Sequence, residues 1–324
     1  MKTTFLKTFI ALLISNYAIG QNMDKYNSFI QKADSLYNLN DFKNTAVAYQ
    51  NAFDANEGKA MPVDRYNAAC VFALTGDSKK AFYHLMYSAE NPKIKYSNYG
   101  HLTTDPDLKS LHKSKQWHKL LKKVQANKDE IEKNFDKPLI AILENVYDED
   151  QKYRKQIEEV EKKYGRDSDE MKKHWELINK KDSINLITVQ KILDEKGWLA
   201  PNVIGNKGNS TFFLVIQHSP LEFQEKYLPM MREAVKNGNA NGSSLALLED
   251  RVAIRTGGKQ IYGSQIGRDP ETGIFYVMPL EDPENVDVRR KAVGLGTISE
   301  YISHWNLTWD VEKHIEASKK LENK

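Results

Sequence analysis

The sequence predicts a mainly α protein in two parts, a short helical repeat unit followed by a helical domain with one β-hairpin. Three observations carry this. Two segments near the start place small and large apolar residues at matching spacings, 36 residues apart, beginning at Ala33 and at Ala69. Two later stretches repeat apolar residues every three or four positions, the period of one helix face. Further on, the runs 259–266 and 274–279 read as strands around the turn Asp269-Pro270-Glu271-Thr272-Gly273.

Residues 1–20 set the expected compartment. Lys2 and Lys7 accompany an apolar stretch over 5–14, and Ala18-Ile19-Gly20 supplies small residues at cleavage positions. This is the pattern of a secretory signal peptide cut before Gln21, so the mature chain is expected to be exported, periplasmic or secreted. The apolar stretch falls short of the roughly 20 residues that a spanning helix needs. No cysteine follows the small residues, which disfavours a lipid anchor, and no transmembrane segment is expected after cleavage. About 300 remaining residues fit two domains. Cys70 is the single cysteine, so no disulfide forms within the chain. It sits in an apolar helical pattern and reads as a small buried hydrophobe. With 47 basic and 44 acidic residues and a net charge of +3, nothing in the charge balance calls for nucleic acid. The densest basic stretch, 113–123, interleaves Trp117, Leu120 and Leu121 with lysines, as an amphipathic helix with a solvated face does.

The repeat unit is placed at residues 21–130. Ala33, Leu36, Thr45, Tyr49 and Ala52 in the first segment match Ala69, Phe72, Ala81, Leu85 and Ser88 in the second. Small residues where helices cross, with larger ones between, give antiparallel helix pairs. Asn40-Asp41 and Gly76-Asp77 occupy equivalent turns. On these residues the stretch 25–92 resembles the tetratricopeptide-repeat family. Thr45 stands where that family has a small alanine, and the tryptophan and glycine of its first helix are missing. The resemblance implies a surface for a protein partner. Two repeats are fewer than the three or so that make a stable array. The segment from His101 to Val124, similar to the tail that follows such repeats in bacterial proteins, is expected to cap them.

Asp136-Lys137-Pro138 opens the second domain, placed at 136–310, with a helical tail over 311–324. Leu139, Ile142, Leu143, Val146, Tyr153, Ile157, Val160 and Tyr164 form one stripe, and Asp150 fills its single gap. A helix from about Asp169 carries Met171, Trp175, Ile178, Val189 and Ile192, its stripe interrupted by Asp182 and Asn185. Gly197-Trp198 ends it. Residues 205–209 read as a loop into an apolar helix that ends at Gln217-His218. Ser219-Pro220-Leu221-Glu222 reads as a capping box, leaving His218 just outside a helix N-terminus. Asn241-Gly242 leads into a helix that is apolar nearly all round yet carries Asp250 and Arg251. After the hairpin, Asp282-Pro283 is read as the cap of a last helix with Asp287, Arg289 and Arg290. The set Gly197-Trp198, Gln217-His218, Asp250-Arg251, Gln260-x-Tyr262-Gly263-Ser264-Gln265 and Asp287-x-Arg289-Arg290 resembles an uncharacterised bacterial domain family of unknown function. Leu199 departs from it where proline often follows Gly-Trp. The resemblance implies no activity.

Polar groups inside apolar helices cost several kcal/mol unless paired, so they mark a structural network or a site. The candidates are Gln217, His218, Asp250, Arg251, Gln260, Tyr262, Gln265, Asp150 and Asp182. Gly263-Ser264-Gln265 fails the spacing of a nucleophile elbow. Asp150, Asp182, His218 and Asp250 offer oxygen and imidazole donors, but no metal-binding spacing accompanies them, and no cofactor or metal is expected. Carboxylate-assisted hydrolysis is one reading, in which Asp250→Asn would abolish turnover and spare the fold. The leading reading is binding of a small polar ligand, such as an envelope sugar or peptide fragment, by Gln217, Gln260, Gln265 and Arg251. A purely structural network is the third, and enzyme or binding protein stays open.

Overall fold

The computed structural model describes residues 22–322. The expected signal peptide at 1–20 lies outside the described residues. The chain is mainly helical, with one two-stranded antiparallel sheet, and divides into two compact units between Lys133 and Asn134.

The first unit begins with α1, residues 22–38, and α2, Phe42–Ala55. A second pair follows, α3, Pro62–Leu74, and α4, Ser78–Glu90. The two pairs share a joint. Asn40 has φ 57° and Gly76 has φ 82°, the left-handed turn that reverses the chain. The next residue then caps the following helix, Asp41 accepting from the Asn44 N–H and Asp77 from the Lys80 N–H. Ala33, Thr45, Tyr49, Ala52, Ala69, Phe72, Ala81, Leu85 and Ser88 are all buried. Thr45 fits in the alanine position because its hydroxyl donates to the Asp41 carbonyl at 2.8 Å. Next come α5, Tyr99–Thr104, a 3₁₀ turn, Pro106–Leu111, and α6, Lys115–Ile131. Leu102, Leu108, Leu111, Trp117, Leu120 and Val124 join the same core as the helix pairs.

His84 on α4 is buried against Arg65, whose Nη1 stands 3.2 Å from its Nδ1. Burial, then the charges of Arg65 and Lys80, push the imidazole down to about 4. The folded chain stays neutral where the unfolded chain, with a pKa of about 6.5, takes up a proton. The stability this gives is complete above the unfolded value and is lost as pH falls toward the folded one, roughly 3 kcal/mol in all. Chemical denaturation from about pH 7 down to about pH 4 should show a steeper loss for wild type than for His84→Gln. Parallel curves would refute it.

The second unit starts with α7, Lys137–Arg154, capped by Asp136 with Pro138 in the first turn. The stripe read as continuous to Tyr164 breaks after Arg154 and resumes as α8, Ile157–Tyr164, which buries none of its residues. Ile142 and Trp175 are exposed although they belong to helices with a buried face, and Tyr164 is exposed on α8. α9, Asp169–Lys196, buries Met171, Ile178, Asn185, Val189 and Ile192. α10 runs from Pro201 to His218, so the residues read as a loop at 205–209 are helical apart from Gly205, at φ 69° and ψ 166°. A Cβ at Gly208 would crowd Leu143 at 3.1 Å and Ile204 at 3.2 Å. α11, Leu221–Lys236, has Pro220 at its cap and no side-chain cap. The expected capping box is absent because the Ser219 hydroxyl turns back to the Ile216 carbonyl at 2.8 Å, and His218 is the last residue of α10.

α12, Gly242–Arg255, packs against α11 and α10. The hairpin is shorter than its sequence implies. β1, Ile266–Arg268, pairs with β2, Phe275–Val277, in the register Ile266 with Val277. Residues 259–265 were expected in the first strand, but they form a loop whose amides turn to α12. Asp282 adopts φ 43° and caps nothing with its side chain, and the 3₁₀ turn Pro283–Asn285 leads into α13, Val286–Ala292. That helix is not the last, since α14, Ile298–Ile302, and α15, Val311–Glu322, follow.

Candidate functional site

α7, α9 and α10 bring three titratable side chains together. Asp150, in the gap of the α7 stripe, is buried, with a side chain only 1% exposed. Its Oδ1 lies 2.9 Å from His218 Nδ1, and Gln151 donates to its Oδ2 at 2.7 Å. Asp182 sits on α9, three turns after Met171, two after Trp175 and one before Asn185. Arg154, one turn beyond Asp150, binds both oxygens of Asp182 through Nη2, at 2.7 and 2.6 Å. Its Nε stands 3.1 Å from His218 Nδ1 and 3.6 Å from Asp150 Oδ2.

One imidazole nitrogen cannot both donate to Asp150 and accept from Arg154. The buried carboxylate favours Nδ1–H donating to Asp150, with the Arg154 Nε paired to the other Asp150 oxygen by charge alone, at 3.6 Å. In that tautomer His218 Nε2 has no hydrogen-bond partner among the described residues. Burial pushes the Asp150 carboxyl upward, but the hydrogen bond and charge of His218, with Arg154, outweigh it and hold Asp150 below the ordinary range. Asp182 moves the other way, raised by burial and by the Asp150 charge against the pull of Arg154 and His218. Two carboxylates driven apart in this way are suited to different proton roles. The side chains of Arg154, Asp182 and His218 are each 16–18% exposed, so the cluster has an open edge.

The donor atoms of Asp150, Asp182 and His218 lie within 4.8 Å of one another, a set that suits a divalent ion. Arg154 already supplies positive charge in their midst, and a metal would have to displace it.

Asp250 and Arg251 are neighbours in sequence that do different work. Asp250, wholly buried, accepts the N–H groups of Ile261 at 2.6 Å, Tyr262 at 2.9 Å and Ser264 at 2.9 Å. Gln260, equally buried, accepts from the Gln265 N–H at 2.7 Å and donates to the carbonyls of Gln265 and Met278. The Tyr262 carbonyl takes the Arg290 guanidinium at 2.7 Å. Gly263, at φ 71°, lets the loop wrap the Asp250 carboxylate. Asp250, Gln260 and Tyr262 thus build the loop. Asp250 is not gathered with the other carboxylates, and its oxygens are already filled by main-chain donors.

Arg251 faces the other way. Its Nε donates to Gln265 Oε1 and its Nη1 to the Gln217 carbonyl, both at 3.1 Å. No carboxylate pairs with it among the described residues. Burial, then the charges of Arg255 and Arg154, lower it to about 10. Arg255 donates to the Ser219 carbonyl at 3.0 Å, and it too has no acidic partner among the described residues. Three guanidiniums therefore stand against two carboxylates at the end of α10. Beside them, Gln217 Oε1, Gln224 Oε1 and Asn185 Nδ2 are buried without a hydrogen-bond partner. Gln224 Nε2 reaches the Gln217 carbonyl at 2.8 Å, which ties α11 to the same place.

Arg154, Arg255 and Gln224 are the members that sequence reasoning missed. Arg154 had a signal, since it lies four residues after a carboxylate in an apolar stripe, the spacing of a helical ion pair. Arg255 and Gln224 had none.

The candidate residues all fall within 136–312, where the chain matches a family described only as one of unknown function, DUF6624. That match covers more than half of the chain, and the protein belongs to this family. No curated protein and no solved structure matches it.

Proposed function

We propose that the second unit binds a small anionic ligand, a carboxylate- or phosphate-bearing envelope fragment, at Arg251 and the neighbouring Arg154 and His218. The observation that carries this is Arg251 itself, a largely desolvated guanidinium bonded only to neutral acceptors. Such a cation gains most from an incoming anion, which it can grip through two parallel hydrogen bonds. The orphaned amides of Gln217 and Asn185 offer an acceptor and a donor for sugar hydroxyls or peptide groups. In thermal shifts against phosphate, uronic acids and peptidoglycan fragments, a ligand at about 100 times its dissociation constant stabilises by roughly 2.7 kcal/mol. Arg251→Ala should remove the shift while Lys226→Ala keeps it. No shift with any anion, or an undiminished shift in Arg251→Ala, sinks the reading.

A second reading is favoured by the Asp150–His218 pair. With Nδ1–H held by Asp150, Nε2 is free to take a proton from water attacking the bound ligand, which would make the protein a hydrolase. Ligand consumption by wild type, lost in His218→Gln with binding retained, would separate enzyme from binder.

The first 20 residues support export, and no helix among the described residues is long and apolar enough to cross a membrane. The helix pairs, joined by the same turn twice, support a tetratricopeptide-like unit that holds a protein partner. Cell fractionation tests the first claim, and capture of a partner by the full chain tests the second.

A further inference from the structure

The first unit contains a cleft of about 470 Å³, lined by residues of α1, α2, α3, α5 and the 3₁₀ turn. Asp34, Asp105 and Asp107 supply its charge and Tyr37, Tyr49 and Tyr66 its aromatic walls, while no lysine or arginine lines it among the described residues. The geometry points to an occupant of one chemistry, a lysine or arginine side chain from a basic segment of a partner protein. This rests on the reading of the helix pairs as a partner surface and names what that surface recognises.

The walls are fixed before anything enters. The Tyr66 ring is buried, stacked against His101 at 4.8 Å and Tyr96 at 5.3 Å between ring centres. Its hydroxyl donates to Asp105 Oδ2 at 2.9 Å, and the Tyr37 hydroxyl donates to Asp107 Oδ2 at 2.8 Å. The bond to Asp107, then burial, pushes the Tyr37 phenol up to about 12, so it stays a neutral donor. Each carboxylate still has oxygen lone pairs to offer. A cation entering here meets carboxylates and ring faces together, and both attract it. An acidic or neutral group meets repulsion or nothing. The volume, within the range of small-ligand pockets, holds a long basic side chain with part of its backbone.

Cys70, Asp105 and Asp107 also place donor atoms within 4.8 Å of one another, which raises a metal ion as a rival. The chemistry disfavours it. Burial, then the charges of Asp105 and Asp107, push the Cys70 thiol well above its ordinary value, and the protonated thiol is a poor ligand. Asp105 already accepts from Tyr66, from the Cys70 thiol at 3.6 Å and from the Asp107 N–H at 3.0 Å.

The test is fluorescence anisotropy of the full chain with a labelled peptide rich in lysine and arginine, against an acidic peptide of equal length. The basic peptide should bind, weaken with added salt, and lose at least tenfold in affinity in Asp34→Asn and in Asp107→Asn. Asp34→Lys, shown to be folded by circular dichroism, should abolish binding. Failure of the basic peptide to bind, or equal binding by all variants, overturns the inference. So does tight zinc binding that Cys70→Ala removes, with no peptide binding. Partner capture by wild type and by Asp34→Lys separates the two claims. A partner held equally by both leaves the surface reading standing and refutes the cleft, whereas no partner for either removes the surface reading itself.

Discussion

Asp250→Ala should be the most damaging single change in the second unit, costing about 3–5 kcal/mol, because three N–H groups that converge on a wholly buried carboxylate lose their one shared acceptor. The loss is the desolvation of Ile261, Tyr262 and Ser264 amides that have no other partner within the loop. Asp250→Asn keeps the shape but replaces one acceptor oxygen with an NH₂ that points at donors, and about 2 kcal/mol should go. Urea unfolding of the three proteins measures this directly. The outcome also separates roles. A catalytic Asp250 would tolerate the amide and lose turnover alone, whereas the arrangement around it makes the amide variant unstable first. An Asp250→Asn protein with wild-type stability would refute the structural assignment.

Arg154→Met should come next, at about 3–5 kcal/mol near neutral pH, since the buried Asp150 and the half-buried Asp182 lose the charge that compensates them. The pH dependence follows from the signs. In wild type, Asp150 is depressed by His218 and Arg154, and its contribution is present above the unfolded value of about 3.9 and lost as pH falls through the lower folded value. Without Arg154 only His218 is left to hold Asp150 and Asp182 down against burial and mutual repulsion, so both rise. A raised carboxylate penalises the folded state above its unfolded value, and the penalty is relieved as pH falls through the raised one. The gap between variant and wild type should therefore be widest near neutrality and narrow on acidification. A gap that stays constant with pH would mean that Arg154 acts by packing alone.

Much of this architecture was visible in the order of residues, for identifiable reasons. Asp150 announced itself by occupying a position that helical period reserves for the core, and it is buried there. The matching joints at Asn40-Asp41 and Gly76-Asp77 were legible because left-handed turns and aspartate caps depend on local chemistry. Pairing was not legible. Asp250 and Arg251 look like natural partners, yet consecutive helical positions diverge by about 100°, and each found its bonds on a different neighbour. The strand expected over 259–266 failed up to Gln265 for the same kind of reason. Its residues suit a strand, but the amides that a partner strand would have taken go to a carboxylate 11 to 14 positions earlier. Gly205 and Gly208 suggested a loop, although one is a single kink and the other makes room for Leu143. Which groups meet across helices is set by packing that no local pattern records.

The two consecutive residues of α12 hold one loop from both ends, Asp250 at 261–264 and Arg251 at Gln265. A segment without regular structure usually exchanges its amide hydrogens with solvent quickly. Here the amides of Ile261, Tyr262 and Ser264 are released only when α12 itself gives way, so they belong to the same cooperative unit as the helix. The loop that positions Arg251 is therefore stiff in the free protein, and the proposed binding there would lose little to the ordering of the protein.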